Sequence, residues 1–294
     1  MRILILGIGG MLGNSLYREL NVPSLDVFGS LRNIKKIRAF FPTDAGARLI
    51  DGVDAYKFDS VEQAANMVNP DVLINCIGLI RQLPEGKLPL PCIEINARFP
   101  HLLAKMCRER HIRLIHYSTD CVFDGAKGAP YTEDDPPSAK DIYGLSKFLG
   151  EVRESPALTI RTSIIGHELR NKLSLVEWFL AQKGTVKGYT QAIYSGLPVT
   201  EHARILREYV LPNPALTGLY QVAGRPISKY ELLQLVAREY GKKISIEPEP
   251  TVREDKRLSG DAFFRSTGYV PPEWPELIRA MRAAHQAVMG DSAV

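Results

Sequence analysis

The chain has 294 residues, 45% hydrophobic and 24% charged, with 37 basic residues against 33 acidic. That composition excludes a disordered or collagen-like chain, and the length suffices for one large or two modest domains with a sizeable core. The net charge of +4 is too small to imply a nucleic-acid partner, and no apolar run reaches the roughly 18 to 20 residues of a membrane span.

The apolar start, residues 1–12, carries Gly7, Gly9 and Gly10 and no small-residue cleavage site after a clean apolar stretch. It reads as a strand and a turn, not as a signal peptide. Residues 2–6 form a strand, 11–20 a helix, 25–29 a second strand and 55–58 a third, short one. Residues 61–68 have helical spacing, 71–77 (DVLINCI) read as a buried strand, 97–110 as a helix and 113–117 as a strand. A helix over 143–153 and a strand over 158–162 complete the series. Strand and helix in steady alternation predict an α/β fold: a Rossmann-type doubly wound parallel sheet with helices on both faces. Beyond Gly166 the alternation breaks. Helical patterns recur at 174–182, 201–210, 229–240 and 275–288, with Ser228 and Glu231 spaced as a capping box. A smaller, mostly helical C-terminal substrate lobe is therefore expected. The domains would be residues 1–166 and 167–294, with 199–223 partly returning to the sheet.

Ligands of such sheets sit at the carboxyl ends of the strands. Gly7, Gly10 and Gly13 form G-x-x-G-x-x-G directly after the first strand. The pattern gives a tight turn, an unobstructed backbone and a helix N-terminus at Met11, Leu12 and Gly13 aimed at a diphosphate. Alone it also marks an ordinary strand-to-helix turn; its context favours a dinucleotide. The second strand ends without a carboxylate, at Ser30 and Arg32. A cation there suits the 2′-phosphate of NADP(H), whereas an acid would suit NAD. Asp59 is a candidate for the adenine amino group, with Ser60 beside it, though a helix cap accounts for them equally well. Cys76, Ile77 and Gly78 end the next strand, and Gly78 lets a cofactor approach.

Tyr143 and Lys147 stand four apart on a helix and share a face. The ammonium is expected to draw the phenol down from its usual pKa near 10, towards the range of a working proton donor. Ser118, Thr119 and Asp120 end the strand at 113–117, where a hydroxyl can hold a substrate carbonyl. The four cysteines, Cys76, Cys92, Cys107 and Cys121, form no C-x-x-C pair. Neither zinc nor a disulfide framework is expected, and a reducing cytoplasm is the natural compartment.

The glycine motif with Y-x-x-x-K resembles the extended short-chain dehydrogenase/reductase superfamily. The stretch STDCVFDG, PYTEDDPP and YGLSKFLGE, with Arg161-Thr162-Ser163 after it, resembles the dTDP-4-dehydrorhamnose reductase family within it. The resemblance implies that Thr119, Tyr143 and Lys147 are catalytic and that Asn96 supports the lysine through water. It implies reduction of a 4-keto-6-deoxy sugar nucleotide with NADPH, serving bacterial surface polysaccharide synthesis. Some relatives use magnesium, but no carboxylate cluster here supports it. A homodimer is left open.

A sugar nucleotide needs cations and a flat surface for its base. Arg253, Lys256 and Arg257 in VREDKR, and Trp178 and Tyr194, are candidates, with Arg161, His167, Thr119 and Asp120 nearer the sugar. A charge run is also what a solvated loop carries, and Trp178 has core spacing. Two other readings compete: an epimerase or dehydratase that keeps NAD(P) bound, and a non-catalytic NADP-binding regulatory subunit. Dehydration relies on an Asp-Glu pair in the related dehydratases, where this chain has Asp120-Cys121.

Overall fold

The computed structural model describes residues 1–41, 48–170 and 173–289. The chain begins with β1 (Arg2–Leu6), buried after its first residue, and α1 (Met11–Glu19), which lays Leu12 and Leu16 on the core. β2 (Asp26–Ser30) and the short β3 (Leu49–Ile50) follow, then α2 (Phe58–Val68) and β4 (Val72–Asn75). The strand expected at residues 55–58 does not form: 55–57 are a turn and Phe58 opens α2. Local side-chain bonds decide this. Asp54 accepts the Tyr56 N–H through Oδ1, and Ser60 Oγ accepts the Asp54 N–H and donates to the Lys57 carbonyl. Such bonds offer the backbone an alternative to a strand ladder.

α3 (Pro89–Cys92), a π-helical stretch at Ile93–Arg98 and α4 (Phe99–Glu109) run on in series. β5 (Arg113–Thr119), α5 (Ile142–Leu149) and β6 (Leu158–Thr162) come next. After β7 (Ile164–Ile165) come α6 (Leu175–Ala181), β8 (Thr185–Tyr194), β9 (Leu197–Pro198) and α7 (Val199–Ile205). β10 (Gly218–Gln221) pairs with β6, so this part of the chain does return to the main sheet. β11 (Ile227–Ser228), α8 (Lys229–Glu239), β12 (Ser245–Asp255), α9 (Asp261–Thr267) and α10 (Trp274–Met289) end the described chain. The capping box of Ser228 and Glu231 is formed at α8.

The main sheet has seven parallel strands in the order β10-β6-β5-β4-β1-β2-β3. Alternation along β1 sends Ile3 and Ile5 to one core and Leu4 and Leu6 to the other, so both faces are covered. The strand order reverses between β1 and β4, which opens a crevice at their carboxyl ends. The C-terminal region, expected to be mostly helical, also holds a three-stranded sheet, β11-β8-β12. Pro248 and Pro250 mask β12 in the sequence. They are tolerated because β12 is an edge strand whose register shifts between Glu249 and Arg253. No described helix is long and apolar enough to cross a membrane.

Candidate active site

The glycine turn is shaped by close approaches. Gly7 sits at φ +86°, which favours glycine, and a Cβ on Gly13 would lie 2.4 Å from the Gly7 carbonyl oxygen. The N–H groups of Gly7 and Ile8 both donate to the Ser30 carbonyl at 3.1 Å. α1 starts at Gly10 with no side-chain cap and no acidic residue in its first turn. Its first backbone bond here runs from Asn14 N to Gly10 O, which leaves the N–H groups of Met11, Leu12 and Gly13 without helical partners. Open donors on an uncapped helix start fit a diphosphate.

One cofactor expectation needs correction. Ser30 is wholly buried, and its carbonyl braces the glycine turn, so it does not meet a 2′-phosphate. Asp59 lies exposed in the first turn of α2, past the turn that replaces the expected strand. The Ser60 hydroxyl ties that same turn together. Arg32 stays exposed at the end of β2, close enough to Tyr56 to draw its phenol pKa down against burial. Tyr56 is itself half exposed and was not singled out by its spacing.

At the next strand end Cys76 and Ile77 abut the turn, since a Cβ on Gly7 would lie 2.9 Å from the Ile77 side chain. A Cβ on Gly78 would lie 3.4 Å from Asn96 Oδ1 and 3.9 Å from Lys147 Nζ. Gly78, Asn96 and Lys147 are thus brought together. Asn96, in the π-helical stretch, accepts from Leu79 N at 2.9 Å and donates to Leu79 O at 3.1 Å, which fixes the loop beside Gly78.

Thr119 ends β5 and caps the turn after it, accepting from Cys121 N at 3.2 Å and donating to Asp120 Oδ1 at 3.2 Å. α5 is capped by Asp141, which accepts from Gly144 N, and this presents Tyr143 at the second position of the helix. Burial pushes the Tyr143 phenol well up; Cys121 and Asp120 add to this, while a hydrogen bond with Thr119 and the Arg81 charge oppose it. Thr119 and Tyr143 are thus brought together. The buried ammonium of Lys147, one turn on, donates to the Tyr117 carbonyl at 2.6 Å, and burial brings its pKa down to about 8. Ser118 donates its hydroxyl to Glu151 at 2.8 Å. Burial raises the Asp120 carboxyl against the pull of Lys256, and pushes the Cys121 thiol up to about 12.

The substrate candidates divide. Tyr194 is buried, and its hydroxyl faces Ser163 and Asp120. Arg161 is no substrate ligand: it is wholly buried on β6 and doubly bonded to Glu151 at 2.8 and 2.7 Å. Arg257 is held by Asp255 through two bonds of 2.7 Å, and Arg253 is exposed. The residue of that run brought to Asp120 and Cys121 is Lys256, which pairs with Glu254 at 2.7 Å. Lys256 and Arg257 lie just past the end of β12, where Lys256 turns to Asp120 and Arg257 folds back on Asp255. Trp178 is exposed on α6, not in the core as its spacing suggests. His167 bonds Glu177 at 2.6 Å and Tyr240 at 2.8 Å and stacks on His285. It lines a separate cavity of about 260 Å³ with Met11, Asn14 and Arg18, to which none of Thr119, Tyr143 or Lys147 contributes. Arg81, which nothing in the sequence singles out, lies over the Tyr143 ring at 5.8 Å.

A parallel sheet with a glycine turn at its switch point, and a tyrosine helix facing the next strand end, defines an oxidoreductase of the extended short-chain dehydrogenase/reductase class. The family model described as the RmlD substrate binding domain matches residues 1–281. Spore coat polysaccharide biosynthesis protein SpsK of Bacillus subtilis is 26% identical over 95% of this chain and 95% of its own length. The dTDP-4-dehydrorhamnose reductase of Salmonella typhimurium is 26% identical over 96% of this chain and 97% of its own. The crystal structure of dTDP-4-dehydrorhamnose reductase from Bacillus anthracis in complex with NADP is similar with a TM-score of 0.77 at 21% identity, covering 96% of this chain and 99% of that one. The chain belongs to the RmlD substrate binding domain family.

Proposed function

We propose that the chain is an NADPH-dependent reductase of a 4-keto-6-deoxy sugar nucleotide, serving the synthesis of a surface polysaccharide. The observation that carries this reading is the Thr119–Tyr143 contact at the end of β5, with Lys147 one turn on beside Gly78. The names of the full-length relatives support the substrate class and the pathway. The exposed Arg32, at a strand end without a carboxylate, supports the 2′-phosphate of NADPH. In this reading residues 1–166, with the returning 199–223, hold the cofactor, and the rest of 167–294 holds the sugar nucleotide.

A bound reduced nicotinamide supplies the hydride. Thr119 and Tyr143 orient the ketone, and Tyr143 gives its phenolic proton to the oxygen as charge builds there. The raised phenol is protonated at neutral pH, the state a donor needs. Asp120 has Cys121 as its neighbour, a thiol that stays neutral, so the pair of carboxylates for dehydration is not present there.

The test is an NADPH-oxidation assay on a panel of sugar nucleotides. Consumption is expected with a 4-keto-6-deoxy sugar nucleotide and not with the plain hexose nucleotide. Tyr143→Phe should slow turnover by about 10²-fold or more, the scale of general acid catalysis, while still binding NADPH. Release of a keto product from the plain hexose nucleotide, or near-normal turnover of Tyr143→Phe, would overturn the reading.

A further inference from the structure

Spacing alone assigns the cation at the proton donor to Lys147, but the structure places another one there. Lys147 Nζ donates to the Tyr117 carbonyl, and the charges that act on it are those of Glu151 and Cys76. The guanidinium of Arg81 lies 5.8 Å from the centre of the Tyr143 ring. Its Nη2 donates to Asp141 Oδ2 at 3.0 Å, while Asp141 Oδ1 accepts from Gly144 N at 3.0 Å. One carboxylate thus caps the helix that carries Tyr143 and holds the cation above its ring. The loop bearing Arg81 is fixed as well, through the two bonds from the Asn96 amide to Leu79.

As an ion pair this contact does little for stability, because Arg81 and Asp141 are 44% and 49% exposed and water screens them. Its geometry has another use. We propose that Arg81, clamped by Asp141, is a positioning residue for Tyr143, holding the ring in register with Thr119 and favouring the charge that ring carries once its proton has gone. The role rests on Tyr143 being the proton donor. Thr119, Asp120 and Cys121 face Tyr143 from the end of β5, and Arg81 faces it from the loop after β4. Arg81 in turn faces Asp141, Cys121 and Glu254, and Lys256 faces Asp120 and Cys121. Among these groups Arg81 is the cation that lies over the Tyr143 ring. Ketone reduction needs the protonated phenol, and burial keeps it protonated over the working pH range, so the cation acts on the charge that develops as the proton leaves. Removing a nearby cation makes the phenol a weaker acid and a slower proton donor.

The experiment compares kcat and KM for NADPH-dependent ketone reduction in the wild type, Arg81→Met, Arg81→Lys, Asp141→Asn and Tyr143→Phe. Melting temperature and NADPH affinity are measured for each. Asp141→Asn keeps a good helix cap and removes the charge that holds Arg81. Arg81→Met should lower kcat about five- to thirtyfold, the span of a cation–ring contact between exposed and desolvated settings, with KM and NADPH affinity within twofold of wild type. Arg81→Lys should recover part of the rate, and Asp141→Asn should fall between. Wild-type kcat in Arg81→Met, a loss confined to KM, or no recovery in Arg81→Lys overturns the role of Arg81 while Tyr143→Phe stays inactive. An active Tyr143→Phe overturns the role together with the reading beneath it.

Discussion

Replacing Glu151 should unfold the protein far more readily than its place just past a helix end suggests. The Glu151 side chain is 1% exposed and that of Arg161 is not exposed at all. Glu151 accepts both Arg161 bonds and the Ser118 hydroxyl, and Arg161 also lies 5.0 Å from the centre of the Phe123 ring. Glu151→Leu keeps the apolar bulk but leaves a buried guanidinium without its counter-charge. The cost of breaking such a pair is about 3–5 kcal/mol, read from urea unfolding at constant slope. Removing both charges is different, because the desolvation that opposes the pair goes with them. Glu151→Leu/Arg161→Met should therefore recover most of the loss. A single-variant loss under about 1 kcal/mol, or a double variant no better than the single, would refute the reasoning. The double variant carries a second readout: its KM for the sugar nucleotide should stay near wild type, whereas a substrate-binding Arg161 would raise it.

Arg32→Ala should weaken NADPH by roughly 1.5–3 kcal/mol, the scale of a charge-assisted bond, and leave NADH almost unchanged; equal weakening in a fluorescence titration removes Arg32 from the 2′-phosphate. His202 is buried beside Thr162, and burial brings its pKa down from 6.5 to about 3. The unfolded chain therefore binds a proton that the native state refuses between those pH values, so stability is lost as pH falls from 6.5 towards 3. His202→Gln should flatten part of that slope in urea unfolding measured at several pH values, with buried His116 keeping the remainder; parallel slopes for variant and wild type would exclude His202 as a source.

The cofactor half was legible because a parallel strand covered on both faces reads as a short apolar run, as β1 and β4 do, and because the glycine spacing is local. The errors lie where a residue's neighbour is distant in sequence or where facing matters more than type. Ser30 and Arg32 both end β2, yet one faces the core and the other solvent. Asp59 follows a stretch with strand composition, but the bonds among Asp54, Lys57 and Ser60 turn it into a helix entry. Arg161 stood next to a family motif and read as a ligand. Its strand lies inside the sheet because β10 returns to cover it, and a central strand can carry an arginine only with a buried partner.

Within VREDKR composition cannot choose among the cations; the choice falls where the chain leaves β12, at Lys256. Seeing that strand requires discounting the two prolines, which only an edge position permits. Arg81 is the limiting case. Its carboxylate partner is 60 residues away, on the cap of the helix that holds Tyr143, and no motif links the two. The tyrosine and its helix are written in adjacent residues; the charge that acts on that tyrosine is set by two loops meeting across the crevice. Family patterns mark the chemistry that relatives share. What tunes that chemistry in this chain lies in contacts of this second kind, so the variants that distinguish it from its relatives are at Arg81, Asp141 and Lys256 rather than within Y-x-x-x-K.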